Sequence, residues 1–409
     1  MTYGVCLTHS DPLAQAALEQ YLSVLGSGGS ALVRPVAAYD GLEMVCQHVA
    51  ALAGGPLLVT SMGGADPTKE RPATGRGTDA VVAFHTSGST GRPKCVVYDA
   101  ATVRAHAAMI GRSLSLDREC RYAALTPCGF AYGLSIVHSH ALTGVPVHFV
   151  VGGTAGLGEG LQDRRDVDTV YLLPQQATLL LGHADDLPSL RTIIVAGGRL
   201  AAATASALGE RFPGLELVNM YGQAELGPRI STWRGPIADF SEGLIGQPVE
   251  GVEIELGPPD DRGRGELRVR TPYGMRHLLR APYDDVVPGP APDASHATGD
   301  YAVRVEAGFV HAGRADGFAN VAGTRVDLDE LTRTIERAVP TVAVRVRTRT
   351  SRVTGDDLVV VQVVPPGGTE HAAYDAVGLR RALHPVVGSL VSLLDIRLVD
   401  HLAVGEAGK

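Results

Sequence analysis

Val81-Val82-Ala83-Phe84-His85-Thr86-Ser87-Gly88-Ser89-Thr90-Gly91-Arg92-Pro93-Lys94, running directly into Cys95-Val96-Val97-Tyr98-Asp99, is the stretch on which the fold turns. Its two apolar ends are short, β-branched runs bounded by polar residues, the pattern of strands buried on both faces. Between them lies a loop of glycines and hydroxyls that closes on a lysine. Glycine lets a backbone approach phosphate oxygens, hydroxyls donate hydrogen bonds, and Lys94 brings a positive charge. A Walker loop needs Gly-Lys-Ser/Thr opening a helix. Here Gly-Arg-Pro-Lys opens a strand, which argues against that class. A bare Ser/Gly cluster is more often an ordinary turn. The strand before it, the Pro-Lys and the strand after it favour a nucleotide-phosphate role.

Working outward from that stretch, the chain alternates. The apolar runs RYAALTP, VPVHFVV, DTVYLLP, RTIIVAG and LELVNMYG are separated by helical patterns such as 100–112 and 201–212. Alternation of this kind predicts mainly parallel sheets covered by helices. Upstream, an amphipathic helix is expected over 12–25 and a short strand at 57–60, with a loop rich in Gly, Pro and charge over 63–78. Beyond about Ile230 the character changes to short β pieces (GVEIEL, GELRVR, YAVRV, GFVHAG). The end reads as a small α+β unit: helix 328–339, strands 342–347 and 358–364, helix 377–387 and strand 395–399. The expected organisation is therefore a large α/β domain over 1–314 with a β-rich subdomain, and a small mobile α+β domain over 315–409.

Composition limits the function. The chain has 409 residues, 45% hydrophobic and 20% charged, with a net charge of −8. No basic run marks a nucleic-acid partner, no run of about 18 apolar residues spans a bilayer, and no leader pattern opens the sequence. The five scattered cysteines (Cys6, Cys46, Cys95, Cys120, Cys128) form no Cys-x-x-Cys pair and read as reduced thiols, so a cytoplasmic protein is expected. Of 36 basic residues only Lys69, Lys94 and Lys409 are lysines. A lysine kept against such a bias invites a specific role, because a compact ammonium does not substitute for a guanidinium fork.

Thr86 through Lys94 is similar to the T-S-G-[ST]-T-G-x-P-K signature of the superfamily of AMP-forming acyl/aryl-CoA ligases, luciferases and peptide-synthetase adenylation domains. Further segments resemble its motifs in order. Ala196-Gly197-Gly198-Arg199-Leu200 is similar to G-G-x-x-L, which lines the adenine and acyl pocket. Asn219-Met220-Tyr221-Gly222-Gln223-Ala224-Glu225 resembles Y-G-x-[TS]-E, where the tyrosine packs on adenine and the glutamate ligates Mg²⁺; Ala224 stands where the family has a hydroxyl. Thr298-Gly299-Asp300 and Gly313-Arg314-Ala315-Asp316 resemble T-G-D and G-R-x-D, which implies Asp300 on the ribose hydroxyls, Arg314 nearby and Asp316 at a hinge. Asn320 through Leu331 resembles K-x-x-G-x-R-[VI]-x-x-x-E-[IL], with Asn320 for the lysine. Lys409 falls by spacing on the family's mobile lysine.

The resemblance implies that ATP and Mg²⁺ serve to join a carboxylic acid to AMP, releasing pyrophosphate. The acyl group then passes to a thiol of CoA or of a phosphopantetheinyl carrier protein. It implies nucleotide contacts from Thr86, Ser87, Gly88, Ser89, Thr90, Gly91, Lys94, Gly197, Gly198, Asn219, Met220, Tyr221, Gly222, Gln223, Asp300 and Arg314. Thr86, Glu225 and Lys409 are implied in catalysis, with Glu225 as the metal ligand. The phosphate loop starts early, which implies an abbreviated first subdomain. Thr126 through Leu134 resembles the F-A-Y-G-L stretch of benzoate-type ligases. That implies an acyl pocket formed by Phe130, Ala131, Tyr132, Gly133, Ala196 and Gly197. Amino-acid adenylation domains place an aspartate directly after the aromatic to hold the α-ammonium. Ala131 cannot pair a cation, so an aryl or short apolar acid is expected. His138 and His140 would share a side only on a strand; with a helix expected there, no metal site is assigned. A non-catalytic nucleotide or acyl binder is the alternative, motivated by Ala224, Asn320 and the terminal position of Lys409.

Overall fold

The structure, a computed structural model, describes residues 5–8, 12–33, 42–53, 57–60, 80–86, 94–150, 165–182, 187–280, 282–283, 285–314, 317–321, 324–339, 343–350, 357–364, 376–387, 391 and 394–399. The first part contains β1 (Val5–Thr8), α1 (Pro12–Gly26), β2 (Ser30–Val33), α2 (Leu42–Ala53), β3 (Leu57–Thr60), β4 (Val81–Thr86) and β5 (Lys94–Asp99). Then come α3 (Ala100–Ser113), β6 (Tyr122–Ala124), α4 (Ala131–Thr143), β7 (Val147–Val150), β8 (Thr169–Leu172), α5 (Pro174–Gly182), β9 (Thr192–Val195) and α6 (Ala202–Arg211). A β-rich run follows: β10 (Glu216–Gln223), β11 (Gly227–Pro236), β12 (Leu244–Pro248), β13 (Glu253–Leu256), β14 (Gly265–Arg270), β15 (His277–Leu279), β16 (Val286–Pro288), β17 (His296–Val305) and β18 (Gly308–Arg314). The last part holds β19 (Phe318–Val321), β20 (Thr324–Asp327), α7 (Leu328–Ala338), β21 (Ala343–Thr350), β22 (Asp357–Val364), α8 (Ala376–Val387) and β23 (Leu394–Leu398).

One twelve-stranded sheet has the order β1-β7-β6-β8-β9-β10-β11-β12-β18-β17-β14-β13. From β1 to β10 every pairing is parallel. From β10 onward the pairings are antiparallel. Burial follows this division. β8 is buried at every position, as a strand covered on both faces must be. β14 alternates buried with half-buried residues, as a strand with one wet face does. The second sheet runs β16-β15-β5-β4-β2-β3.

Side-chain alternation stacks the layers. On β4, Val82 and Phe84 face one core while Val81 and Ala83 face another with α2. On β9, Ile194 joins the first core and Ile193 and Val195 a third, beneath α5 and α6. Helices α1, α3 and α4 therefore lie between the two sheets, with α2 outside one and α5 and α6 outside the other. Each fully buried Val, Leu or Ile there contributes roughly 1.5–3 kcal/mol. The last part has its own core: Leu331 and Ile335 on one stripe of α7 pack with Val359, Val361 and Val363 of β22 and Leu379 and Leu383 of α8.

One detail departs from simple strand–helix alternation. β4 and β5, on either side of the phosphate-type loop, are antiparallel neighbours paired from Val81↔Asp99 to Thr86↔Lys94. A parallel pair needs a crossover of about a dozen residues, and only 87–93 separate these two. Among the described residues no helix is long and apolar enough to cross a membrane.

Candidate active site

The β10–β11 hairpin carries a polar cluster centred on Asp300. Its tip is tightly packed: a Cβ on Gly222 would overlap the carbonyl group of Pro228, so only glycine lets the two strands close there. Just before it, the Tyr221 hydroxyl donates to Asp300 Oδ2 at 2.5 Å, and just after it Gln223 Nε2 donates to the same oxygen at 2.7 Å. Asp300 Oδ1 accepts from Arg314 Nη1 at 3.0 Å and lies 3.4 Å from His311 Nε2. Asp300 is almost fully buried. Burial alone would raise its carboxyl; His311, Arg314 and the Tyr221 hydroxyl outweigh it and hold the group below the ordinary carboxylate range. Asp300 and Arg314 meet because they are register partners across the β17–β18 hairpin.

A second cluster joins β5 to the end of the same hairpin. Lys94 Nζ lies 3.4 Å from Glu225 Oε1, both side chains about one-third exposed. Tyr98, four residues further along β5, donates its hydroxyl to the Ala224 carbonyl at 2.5 Å and stacks on Phe84. Met275 N donates to the Glu225 carbonyl at 3.0 Å. The backbone on both sides of Glu225 is thus pinned while its carboxylate stays accessible. A single accessible carboxylate beside a phosphate-type loop suits Mg²⁺, which takes one or two protein carboxylates and fills the rest of its shell with water and phosphate oxygens.

The acyl-type stretch opens α4. A Cβ on Gly133 would overlap the Pro127 carbonyl oxygen, which is why the chain can turn from 127–128 straight into the helix. Tyr132 donates to the Ile194 carbonyl at 2.8 Å, two residues before Ala196. A narrow pocket, with free space of only about 20 Å³, lies beside it, with Phe84, Tyr98, His106, Ala131, Ser135 and Pro228 in its wall. It reaches from Ala131 to Tyr98, the residue that holds Ala224; of the six residues expected to form the acyl pocket, Ala131 lines it, and Phe130, Tyr132, Gly133, Ala196 and Gly197 do not. His138 donates or accepts at the Tyr21 hydroxyl (2.7 Å) and His140 at the Tyr171 hydroxyl (2.9 Å), on different faces of α4.

Several residues expected at the site stand apart from these clusters. Asn219 is buried with its amide on the Leu244 carbonyl, and Met220 is core. Gly197 adopts φ +83° at the turn after β9, with Gly198 against Pro174. Ser87, Gly88, Ser89, Thr90, Gly91, Asp316 and Lys409 lie outside the described residues, as does the Asn320 side chain. Sequence reasoning missed Tyr98, His311 and Arg199. Arg199, in the Gly-Gly-Arg-Leu turn, contacts Glu242 through Nη1 and Glu336 of α7 through Nη2 at 2.6 Å.

A family model described as AMP-binding enzyme matches residues 5–279. The chain belongs to the AMP-binding enzyme family. Novobiocin biosynthesis protein H of Streptomyces niveus is 32% identical over 311 residues, covering 72% of this chain and 50% of that protein. Indigoidine synthase of Streptomyces lavendulae is 28% identical over 296 residues, 65% of this chain and 23% of that protein. The chain thus spans half or less of these curated relatives. Among solved members of the fold, the amide bond synthetase McbA of Marinactinospora thermotolerans superposes with a TM-score of 0.65 at 21% identity, covering 99% of this chain and 94% of that one. The anthranilate CoA ligase AuaEII, solved with anthranoyl-AMP, gives 0.68 at 18% identity, with 99% and 92% covered.

Proposed function

We propose that this chain activates a carboxylic acid with ATP, forming an acyl-adenylate and pyrophosphate, and passes the acyl group to a thiol of CoA or a phosphopantetheinyl carrier protein. The observation that carries this reading is the convergence on one hairpin of the Asp300 network and the Lys94–Glu225 pair. One cluster suits a sugar diol and the other a phosphate chain.

Asp300 is a preformed anion, so it accepts hydroxyl protons without first losing its own. Its acceptor positions are already used by Tyr221, Gln223, Arg314 and His311, so a ribose diol must displace one. His311 at 3.4 Å is the weakest holder. Lys94 offers its ammonium to phosphate oxygens, leaving Glu225 free to turn toward Mg²⁺. Bound there, Mg²⁺ would neutralise phosphate charge. Thr86, at the end of β4, is proposed to donate to the same oxygens, and Lys409 to approach from a small domain beginning at 315 that turns about Asp316.

The acid is proposed to occupy the pocket between Ala131 and Tyr98. Among the described residues its wall has aromatic, aliphatic and small side chains with two histidines, and no carboxylate to receive an ammonium. An aryl or short apolar acid fits that wall better than an α-amino acid. ATP–pyrophosphate exchange that requires an added carboxylic acid tests the reading. Nucleotide binding with no exchange across a broad panel of aryl and aliphatic acids would refute it in favour of a non-catalytic binder.

A further inference from the structure

Arg229 is a cation in the core that neither the nucleotide contacts nor the packing of the sheet accounts for. It is 2% exposed, and among the described residues no carboxylate pairs with it. Nη1 donates to the Pro228 carbonyl at 2.7 Å, which fixes the plane of the group. The guanidinium carbon lies 4.4 Å from the centre of the Tyr132 ring. Nε and Nη2 are fully buried and have no hydrogen-bond partner among the described residues.

Those two nitrogens form one edge of the guanidinium, the edge that grips a carboxylate with two parallel bonds. The same chain shows this edge in use: Arg234 donates from Nε to Glu216 Oε1 at 3.0 Å and from Nη2 to Oε2 at 2.8 Å. In Arg229 the ring of Tyr132 covers the flat face, and the Nε–Nη2 edge, itself buried, has no hydrogen-bond partner among the described residues. An unpaired buried charge is strongly destabilising, so a fold that retains one holds it for a ligand or at a loss. Burial lowers the group only to about 10, so it remains a cation at neutral pH.

Its chain neighbours line the pocket beside α4, while Arg229 and Tyr132 themselves lie behind that wall and not in it. Pro228, directly before it, lines the pocket, as does Ala131 directly before Tyr132. His106, also in that wall, contacts the Arg229 carbonyl with Nε2 at 3.3 Å. Resting on the acid-activation reading above, we propose that the acid taken by this chain carries a second carboxylate, which docks bidentately on the Nε–Nη2 edge of Arg229 while the first is presented for activation. The substrate class is a compact dicarboxylic acid, an aryl one being the best match to the aromatic wall. This also gives a second reason against an α-ammonium, which the same cation would repel.

The test uses matched acids in the exchange assay: isophthalate and terephthalate with their monoamides, benzoate as the monoacid, and succinate and glutarate with their monoamides as the aliphatic set. Wild-type protein is expected to favour its best diacid over the corresponding monoamide by about 100-fold or more in kcat/KM, the scale reached when a built polar site is left unpaired. Arg229→Met should bring that ratio close to one, and Arg229→Lys, which keeps the charge without the fork, should fall between. Equal rates for diacid and monoamide in the wild type, or an unchanged ratio in Arg229→Met, would overturn the proposal. Calorimetric titration of the same diacids without ATP separates this idea from the activation reading. Arg229-dependent diacid binding with no exchange for any acid would sink activation and keep the site. Exchange with monoacids and no diacid binding would sink the site and keep activation.

Discussion

Lowering the pH from 7 toward 5 sets three buried histidines and the half-buried His138 against the core around them. His85 bonds the Val33 carbonyl, His106 the Arg229 carbonyl, His138 the Tyr21 hydroxyl, and His140 both the Val145 carbonyl and the Tyr171 hydroxyl. Burial holds His85, His138 and His140 down to about 4 and His106 to about 3. In the unfolded chain each returns to about 6.5. The unfolded chain therefore binds these protons first, so this contribution is complete above pH 6.5 and is lost as pH falls toward 4. Each histidine gives up about 1.4 kcal/mol per pH unit in that window, and four together about 5–6 kcal/mol per unit. A domain's whole stability is about 5–15 kcal/mol, so unfolding is expected between about pH 5.5 and 4. Trp233, the single tryptophan, packs on Phe240 and reports the transition by fluorescence. Urea melts at pH 7.0 and 5.5 should differ in midpoint by more than about 1 M. Equal midpoints would show that these imidazoles are not held neutral, and the reasoning would fail.

Other expectations follow from single contacts. Lys94→Met and Glu225→Gln should each cut acid-dependent exchange by about 100-fold or more. The same variants should barely move Tm, because a pair one-third exposed is worth at most about 1 kcal/mol; a large drop in Tm would assign the pair to the fold instead. Arg199→Ala removes the tie between Glu242 and Glu336, so amide exchange over 328–338 should quicken while α3 and α4 stay protected; unchanged exchange would remove that tie as a restraint. Gly222→Ala forces a Cβ onto the Pro228 carbonyl, and urea melts should register a loss of about 1–3 kcal/mol. Wild-type stability in that variant would mean that the hairpin tip yields.

The strands on each side of the phosphate-type loop were legible because a doubly buried strand leaves an unbroken apolar run, and β4 and β5 are such strands. The Asp300–Arg314 pair was legible too, since a hairpin sets register over short range. What the sequence hid were contacts between segments far apart. β15 arrives beside β5 from about 180 residues downstream, pairing Leu279 with Cys95, and no local pattern announces that. His311 and Tyr98 sit in strands that read as ordinary β pieces. The arginine bias worked in both directions: it made Lys94 conspicuous and made Arg229 one unremarked arginine among many. Only burial and the lack of a partner among the described residues single out Arg229, and neither is a sequence property.

The β10–β11 hairpin is where these threads meet. Within nine residues it supplies Tyr221 and Gln223 to Asp300, Glu225 to Lys94, and Pro228 to the wall of the pocket beside α4, with Arg229 directly behind it. An antiparallel turn closed by Gly222 against Pro228 fixes the spacing between these groups with backbone rather than with flexible side chains. If Asp300 takes the ribose and Arg229 the far end of the acid, the hairpin sets how far apart the two ends of an acyl-adenylate can lie. Strain at Gly222 should then disturb affinity for such an adenylate more than affinity for ATP or for the acid alone, because only the joined molecule spans the whole hairpin. A non-hydrolysable acyl-sulfamoyl adenosine and its two halves, titrated against Gly222→Ala, would read that difference, and equal weakening of all three would show that the hairpin does not act as the spacer.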